Sequence, residues 1–364
     1  MPRYNETVTA PTTHPAAADL EVANPVLAVA TRSGAVESWH RGAVAVFHED
    51  ERVLAVGDVD RPVFARSATK PFQALPFLER GLATALALPV EEIAVMCASH
   101  DGARVHTAAV RSFLARGGLT EHQLGCGPQV PFDQDTRLEL LRAGEKPGRV
   151  HHNCSGKHTG FLHLARACGD ELASYLDPRC KSQQEVAAAV LAMAGLPGPA
   201  EVGLDGCGAP TFRLPLAALA RAFCRLANPD RLGSVRATAC RTILDAAGRA
   251  PQLVAGERRF CTALLQCWPG RVFAKNGAEG VYGVALAPDP QRRRWPGALG
   301  IAVKIDDGNE RGYQPVVVDL LAALGAFAGG QLPAPVRAFH QLALHNSQQK
   351  PTGEVSCVRS WPLP

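Results

Sequence analysis

The chain has 364 residues, 46% hydrophobic and 20% charged, the balance of a soluble globular protein large enough for one big domain or two modest ones. Its net charge of +4 (38 basic against 34 acidic side chains) is spread along the chain, and the one basic run, Gln291-Arg292-Arg293-Arg294, lies between prolines without interleaved aromatics, which excludes a nucleic-acid surface. No apolar run approaches about 18 residues, which excludes a membrane helix.

In chain order, residues 1–24 are polar and rich in Pro, Thr and Ala, and read as a mobile tail ahead of a single domain over 25–364. The tail has no apolar core of signal-peptide length, so a cytoplasmic protein is expected, with its eleven cysteines reduced. Cys168, Cys224 and Cys240 fall in Ala/Leu-rich helical patterns and read as core. Strands are expected at 26–31, 43–47 and 52–59, with a polar connection over 32–38.

Next comes Arg66-Ser67-Ala68-Thr69-Lys70-Pro71-Phe72-Gln73, where apolar residues at helical spacing follow Pro71, a residue tolerated in a first turn. A serine and a lysine three apart share a helix face, so the amine can reach the hydroxyl, and the helix start offers free N–H groups for an oxyanion. That is the arrangement an acyl-transfer Ser-Lys pair needs. The pattern is loose, however, and a chance copy is expected in a chain this long. Ser347-Gln348-Gln349-Lys350 is such a copy, followed by the turn residues Pro351-Thr352-Gly353.

The helix-rich middle spans about 75–265, with helices expected at 103–116, 157–168, 182–194, 214–226, 230–247 and 253–267. Three polar clusters interrupt it. Met96-Cys97-Ala98-Ser99-His100-Asp101-Gly102 ends an apolar helix and reads equally as a site or as a capping turn with Asp101 as N-cap. His151-His152-Asn153-Cys154-Ser155-Gly156-Lys157-His158 is dense in nucleophiles and ligands, and suits either a thiolate-imidazole metal site or a cysteine nucleophile with a histidine base. Val202 to Pro210 is a short strand breaking into a Gly-rich turn that exposes Asp205 and Cys207, and turn chemistry alone accounts for its glycines.

Strands return at 271–274, 281–286 and 298–305, then helices at 315–327 and 336–344 and a closing strand at 353–358. Lys275-Asn276-Gly277 at a strand end is a loose version of the Lys-Thr-Gly strand that neighbours the Ser-x-x-Lys helix in penicillin-recognising enzymes. Strands at both chain ends with helices between them predict an α/β (α+β) fold: an antiparallel sheet built from the two termini plus a helical insertion. No alternating βα pattern and no dinucleotide fingerprint is present.

Together these stretches resemble the L-asparaginase family of the Rhizobium etli type (asparaginase II, class 3), from about Pro25 to the C-terminus. The resemblance is carried by Arg32-Ser33-Gly34 with Val36-Glu37-Ser38, Arg66-Ser67-Ala68-Thr69-Lys70-Pro71, Cys97-Ala98-Ser99-His100, His152-Asn153-Cys154-Ser155-Gly156-Lys157-His158, Asp205-Gly206-Cys207-Gly208, Lys275-Asn276-Gly277-Ala278-Glu279-Gly280 and Lys304-Ile305-Asp306-Asp307-Gly308. It implies a fold related to serine β-lactamases and glutaminases, a homodimer, and hydrolysis of L-asparagine to L-aspartate and ammonia. It further implies two Ser-Lys pairs, Ser67 with Lys70 and Ser99 with Lys275, and a zinc ion on Cys154, Lys157 and Cys207. Arg66, His158 and Asp205 fall on positions lining or supporting the site, with Arg66 suited to the substrate α-carboxylate. Glu37 or Asp205 suits the α-amino group. Zinc between two thiolates has its charge nearly cancelled, so it is expected to organise the pocket more than to generate hydroxide. A penicillin-recognising acyl-serine enzyme, a glutaminase and a zinc-stabilised binding protein are the alternatives.

Overall fold

The computed structural model describes residues 24–199 and 201–363. Most of the expected tail therefore lies outside the described residues, but its last member is anchored. Asn24 is buried, donating to both carboxylate oxygens of Asp306 at 2.9 and 3.1 Å and accepting from the Asp58 N–H at 2.8 Å.

The main sheet has eight strands. They are β1 (Val26–Arg32), β2 (Ala35–His48), β3 (Glu51–Val56), β7 (Val272–Gly277), β8 (Val281–Leu286), β9 (Leu299–Ile305), β10 (Gln341–His345) and β11 (Pro351–Cys357). A second sheet holds β4 (Pro62–Phe64), β5 (Glu201–Leu204) and β6 (Pro210–Pro215) in the order β4-β6-β5. The large sheet runs β10-β11-β1-β2-β9-β8-β7, with β3 also on β2, and every pair is antiparallel. The expected class holds: strands from both chain ends form one sheet, and the helix-rich middle is inserted between β4 and β7.

Two local expectations are corrected. The polar stretch 32–38 is a hairpin, because Ser33 and Gly34 both take positive φ, the twist a two-residue β-turn requires. Residues 341–344 leave the expected helix for a strand, since half-buried Leu342 and Leu344 alternate with the exposed Gln341, Ala343 and His345 on β10. The turn expected at Pro351-Thr352-Gly353 falls instead on the second Ser-x-x-Lys copy, between β10 and β11, where the Asn346 N–H bonds the Lys350 carbonyl at 3.0 Å, and Pro351 already opens β11.

The centre of the sheet is covered on both faces. A Cβ at Gly300 would meet the Ala220 carbonyl, so the helix Leu216–Ala227 lies directly on that side of β9. Ile305 instead touches Gly312 of the helix Glu310–Ala323. Residues 300 and 305 have opposite parity on one strand, so the two helices occupy opposite faces.

The site depends on a third close approach. The helix Ser155–Cys168 crosses the helix Val90–Met96 so tightly that a Cβ at Gly156 would stand 2.1 Å from the Val95 carbonyl oxygen. This contact seats Cys154 and Lys157 beside the segment that follows Met96. Gly156→Ala is expected to lower stability by about 2–4 kcal/mol, read as a drop in the denaturant midpoint, because backbone rather than a flexible side chain must give way.

Candidate active site

Each site residue sits where a regular element stops. β4 runs into a one-turn 3-10 segment, Arg66–Thr69, and then the short helix Lys70–Gln73. The Ala65 N–H bonds the Phe212 carbonyl at 3.0 Å, so the small sheet holds the Ser67 turn next to the β5–β6 loop that carries Asp205 and Cys207. The helix Val90–Met96 ends ahead of Ser99, whose N–H bonds the Val254 carbonyl at 3.0 Å, while the Asp101 N–H bonds the Ala255 carbonyl at 2.8 Å. That pairing explains why 253–267 is not one helix. The chain breaks between Pro251–Val254 and Phe260–Cys267, at Gly256 (φ 145°), to offer two carbonyls to the Ser99 segment.

Lys70 and Lys275 are 1% and 0% exposed and converge on one hydroxyl. Ser99 Oγ lies 3.0 Å from Lys70 Nζ and 2.8 Å from Lys275 Nζ. Lys70 also donates to the Ala98 carbonyl and lies 3.2 Å from Cys154 Sγ. The expected Ser99–Lys275 contact is present. The expected direct Ser67–Lys70 contact is not: among the described residues the Lys70 bonds run to Ala98, Ser99 and Cys154. A buried amino group takes the acceptors that share its burial, whereas Ser67 is half-buried and can turn to water. Burial is the main force on Lys275 and pushes its ammonium down to about 7, with the neighbouring charge of Lys70 acting in the same direction.

Cys154 and Cys207 meet across the next layer. A hydrogen bond from Cys154 is the largest influence on Cys207, lowering its thiol to about 5 with help from the Lys157 charge and against burial. Lys157 Nζ is 3.2 Å from Cys207 Sγ. Burial opposes the Lys157 charge, but Cys207, Cys154 and Asp205 outweigh it and raise the ammonium above its ordinary value. Asp205 Oδ1 accepts from Arg66 Nε and Nη2 at 2.9 and 2.7 Å and from the Gly206 N–H at 2.7 Å. Burial would raise this carboxyl, yet Lys157 and Arg66 hold it below the usual range. One chain of contacts thus runs from Lys275 through Ser99, Lys70, Cys154, Cys207 and Lys157 toward Asp205 and Arg66.

Among the described residues no group of three or more His, Cys, Asp or Glu side chains could hold a metal ion. Two cysteines and a lysine form a different donor set. Their 3.2 Å N···S separation is slightly under the about 3.5 Å edge of a tetrahedral zinc with one nitrogen and several sulfur ligands, and two thiolates would balance the dication. In donor type these residues fit zinc, with Lys157 giving up its proton to ligate as the neutral amine.

His158 is fully buried, and burial followed by the Lys157 charge lowers it to about 3, which keeps it neutral. Tyr175 Oη is 2.6 Å from His158 Nδ1 and accepts the Gly125 N–H at 2.6 Å, so its own proton goes to Nδ1 and the imidazole proton sits on Nε2. Nε2 has no hydrogen-bond partner among the described residues, the state of a donor that a polar ligand satisfies. Tyr175 was not expected, and nothing in its Ala-Ser-Tyr-Leu context marks it. Glu37 is not joined to this cluster. It is exposed on the β1–β2 hairpin, 2.8 Å from Arg32 Nε, because the turn that makes the hairpin turns this carboxylate to its own strand neighbour.

The L-asparaginase II family model matches residues 28–357. This chain belongs to the L-asparaginase II family. The Ser-, Lys- and Cys-bearing stretches that carried the resemblance are the ones that the fold gathers into the buried cluster. No curated relative matches it. Similar solved structures include the native form of Mglu, 16% identical over 79% of this chain and 65% of that chain, with a TM-score of 0.41. This family member thus spans just under two thirds of the length of Mglu. A β-lactamase from Burkholderia ambifaria is 15% identical over 79% of this chain and 94% of its own, TM-score 0.39. A Bacillus glutaminase is 13% identical over 74% and 85%, TM-score 0.39. Among the described residues no helix is long and apolar enough to cross a membrane.

Proposed function

We propose that the protein is an L-asparaginase of the Rhizobium etli type, hydrolysing the side-chain amide of L-asparagine to L-aspartate and ammonia through an acyl-serine. The observation that supports it most is the Ser99 hydroxyl held between two buried lysines. With Lys275 as the amine, a proton passes from Lys70 to Ser99 as the Ser99 proton passes to Lys275. Lys70 is then an amine one residue past the Ser67 turn. Ser67 Oγ attacks the amide carbon while Lys70 takes its proton. As the C–N bond breaks, Lys70 returns that proton to the departing nitrogen, which leaves as ammonia. Water then cleaves the ester, giving aspartate and free Ser67.

Arg66 and Asp205 sit side by side with opposite charge and suit the α-carboxylate and α-ammonium of the substrate. Asp205 replaces Glu37 in that role. Cys154, Lys157 and Cys207 would hold zinc, which when bound supplies positive charge that pins both thiolates and the lysine amine in place. The reading extends to a homodimer in the cytoplasm.

Ammonia release from asparagine and from glutamine, with and without a chelator, tests the proposal. Release from asparagine supports it, and a preference for glutamine would make the enzyme a glutaminase. Acylation by a β-lactam with no ammonia from either would replace it by a penicillin-recognising enzyme. Silence in all three assays leaves a zinc-stabilised binding protein.

The pH profile follows from Lys275. The relay needs its amine form, and its pKa is lowered to about 7, so kcat/KM is expected to rise with pH through about 7 and level off above. A profile flat from pH 5 to 9 would remove Lys275 from the proton path.

A further inference from the structure

Lys275 Nζ has three hydrogen-bond partners, and two of them belong to the next residue. The Asn276 carbonyl oxygen and Oδ1 are each 2.8 Å away, as is Ser99 Oγ. A lysine nitrogen is tetrahedral, so beyond Cε it has three positions to place. We propose that Asn276 is the positioning residue that aims Lys275 at Ser99. Its two oxygens occupy two of those positions, and the third is left on the serine hydroxyl. In the ammonium that third position is an N–H donating to Ser99 Oγ. In the amine it is the lone pair, and the Ser99 hydroxyl donates to it. A proton therefore crosses between Ser99 and Lys275 without rotation of the amino group.

The Asn276 side chain is itself held. Cys261 Sγ–H donates to Oδ1 at 3.6 Å, and Tyr282 O–H donates to Cys261 Sγ at 3.4 Å. Two donors, Lys275 Nζ and Cys261 Sγ, converge on this atom, which fixes it as the carbonyl oxygen and not the amide nitrogen. A flexible lysine stem needs such a clamp, because other acceptors would otherwise share its amino group. Burial has already brought Lys275 to about 7, so both protonation states are open to it near neutrality. The charged and titratable groups around it are Lys70 across Ser99, Cys97 at the end of the Val90–Met96 helix, Cys261 and Arg259 at the Phe260–Cys267 helix, and Cys154 at the start of the Ser155–Cys168 helix.

The inference rests on the asparaginase reading only for its kinetic arm. Wild type, Asn276→Ala and Asn276→Asp are compared in ammonia release from asparagine and in a nitrogen NMR titration of Lys275 Nζ, assigned with Lys275→Met. Asn276→Ala is expected to lower kcat about 10- to 100-fold, with KM changed by less than about threefold. It should also move the Lys275 titration down, since the lost acceptor favoured the ammonium. Asn276→Asp keeps both acceptors. It should move the titration and the acidic limb of kcat up by about one pH unit or more, and recover most of the wild-type rate above the new midpoint. Wild-type kcat in Asn276→Ala, or a change confined to KM, would overturn the proposal. If Asn276→Ala fails to fold, the near-isosteric Asn276→Asp decides, and an unmoved titration there defeats it. Moved titrations in a protein that releases no ammonia would uphold Asn276 and defeat only the asparaginase reading.

Discussion

Ser67→Ala is expected to cut ammonia release by about 10⁴-fold or more while leaving the melting temperature at its parent value. The stability half of this follows from the surroundings of the side chain: Ser67 is half-buried, and among the described residues its hydroxyl has no hydrogen-bond partner to orphan. The catalytic half follows from access. Ser99 and both lysines are almost wholly buried, so of the two serines Ser67 is the one a substrate carbonyl can approach. Ser99→Ala should behave differently. It removes the bridge between two buried amino groups, so it should slow acylation by about 10²- to 10³-fold and also lower stability. Adding Lys70→Met to Ser67→Ala should cost little more than Ser67→Ala alone, because groups that act as a unit are not additive. Peptide mapping after treatment with an electrophilic diazoketone analogue of asparagine gives an independent check, with the label expected on Ser67. The opposite pattern, with Ser67→Ala active and the label on Ser99, would make Ser99 the nucleophile and Lys275 its base. The distances in the resting structure favour that second reading, and Ser67 is preferred on exposure.

The parts of this site that were legible in the sequence are those written locally. The Ser67 turn, the end of a helix before Ser99, the Gly-rich turn at Asp205 and the strand end at Lys275 each follow from patterns a few residues long. What was not legible is who meets whom. Lys70 reaches Ser99, 29 residues away, because the Gly156 crossing fixes where the Val90–Met96 helix ends. Its other main partner is the Ala98 carbonyl, a backbone atom that no residue type announces. The break at Gly256 has the same origin: apolar residues fall at helical spacing on either side of Gly256-Glu257-Arg258-Arg259, and the interruption is demanded by backbone pairing with Ser99 and Asp101. The 32–38 hairpin reads as a connection because strand residues exposed on both faces carry no alternation. Asn276 lies inside the Lys275-Asn276-Gly277 strand end, but its role depends on the amino group it clamps.

Cys207→Ala is the second large effect expected, and it is read on stability and metal content rather than on turnover. Lys157 is 3% exposed and lies 3.2 Å from Cys207 Sγ. Removing the thiolate leaves a buried cation facing Cys154 and Asp205 at longer range. Breaking one side of a buried pair typically costs about 3–5 kcal/mol, since the remaining charge keeps its desolvation penalty without its closest partner. In a chain of this size that corresponds to a fall in melting temperature of about 4–7 °C. The double variant Cys207→Ala/Lys157→Met removes the stranded charge as well, and should recover at least half of the loss. A purely packing role for Cys207 predicts no such recovery, because Lys157→Met does not refill the space of a missing sulfur. Elemental analysis supplies the other arm. One zinc per chain is expected in the parent and none in either variant, since a three-ligand protein set reduced to two does not retain the ion. Full zinc content in Cys207→Ala would move the metal elsewhere. An unchanged melting temperature in the same variant would mean that the Lys157 ammonium is satisfied without this thiolate, and that the chain of contacts linking the lysines to Asp205 is not what holds the site together.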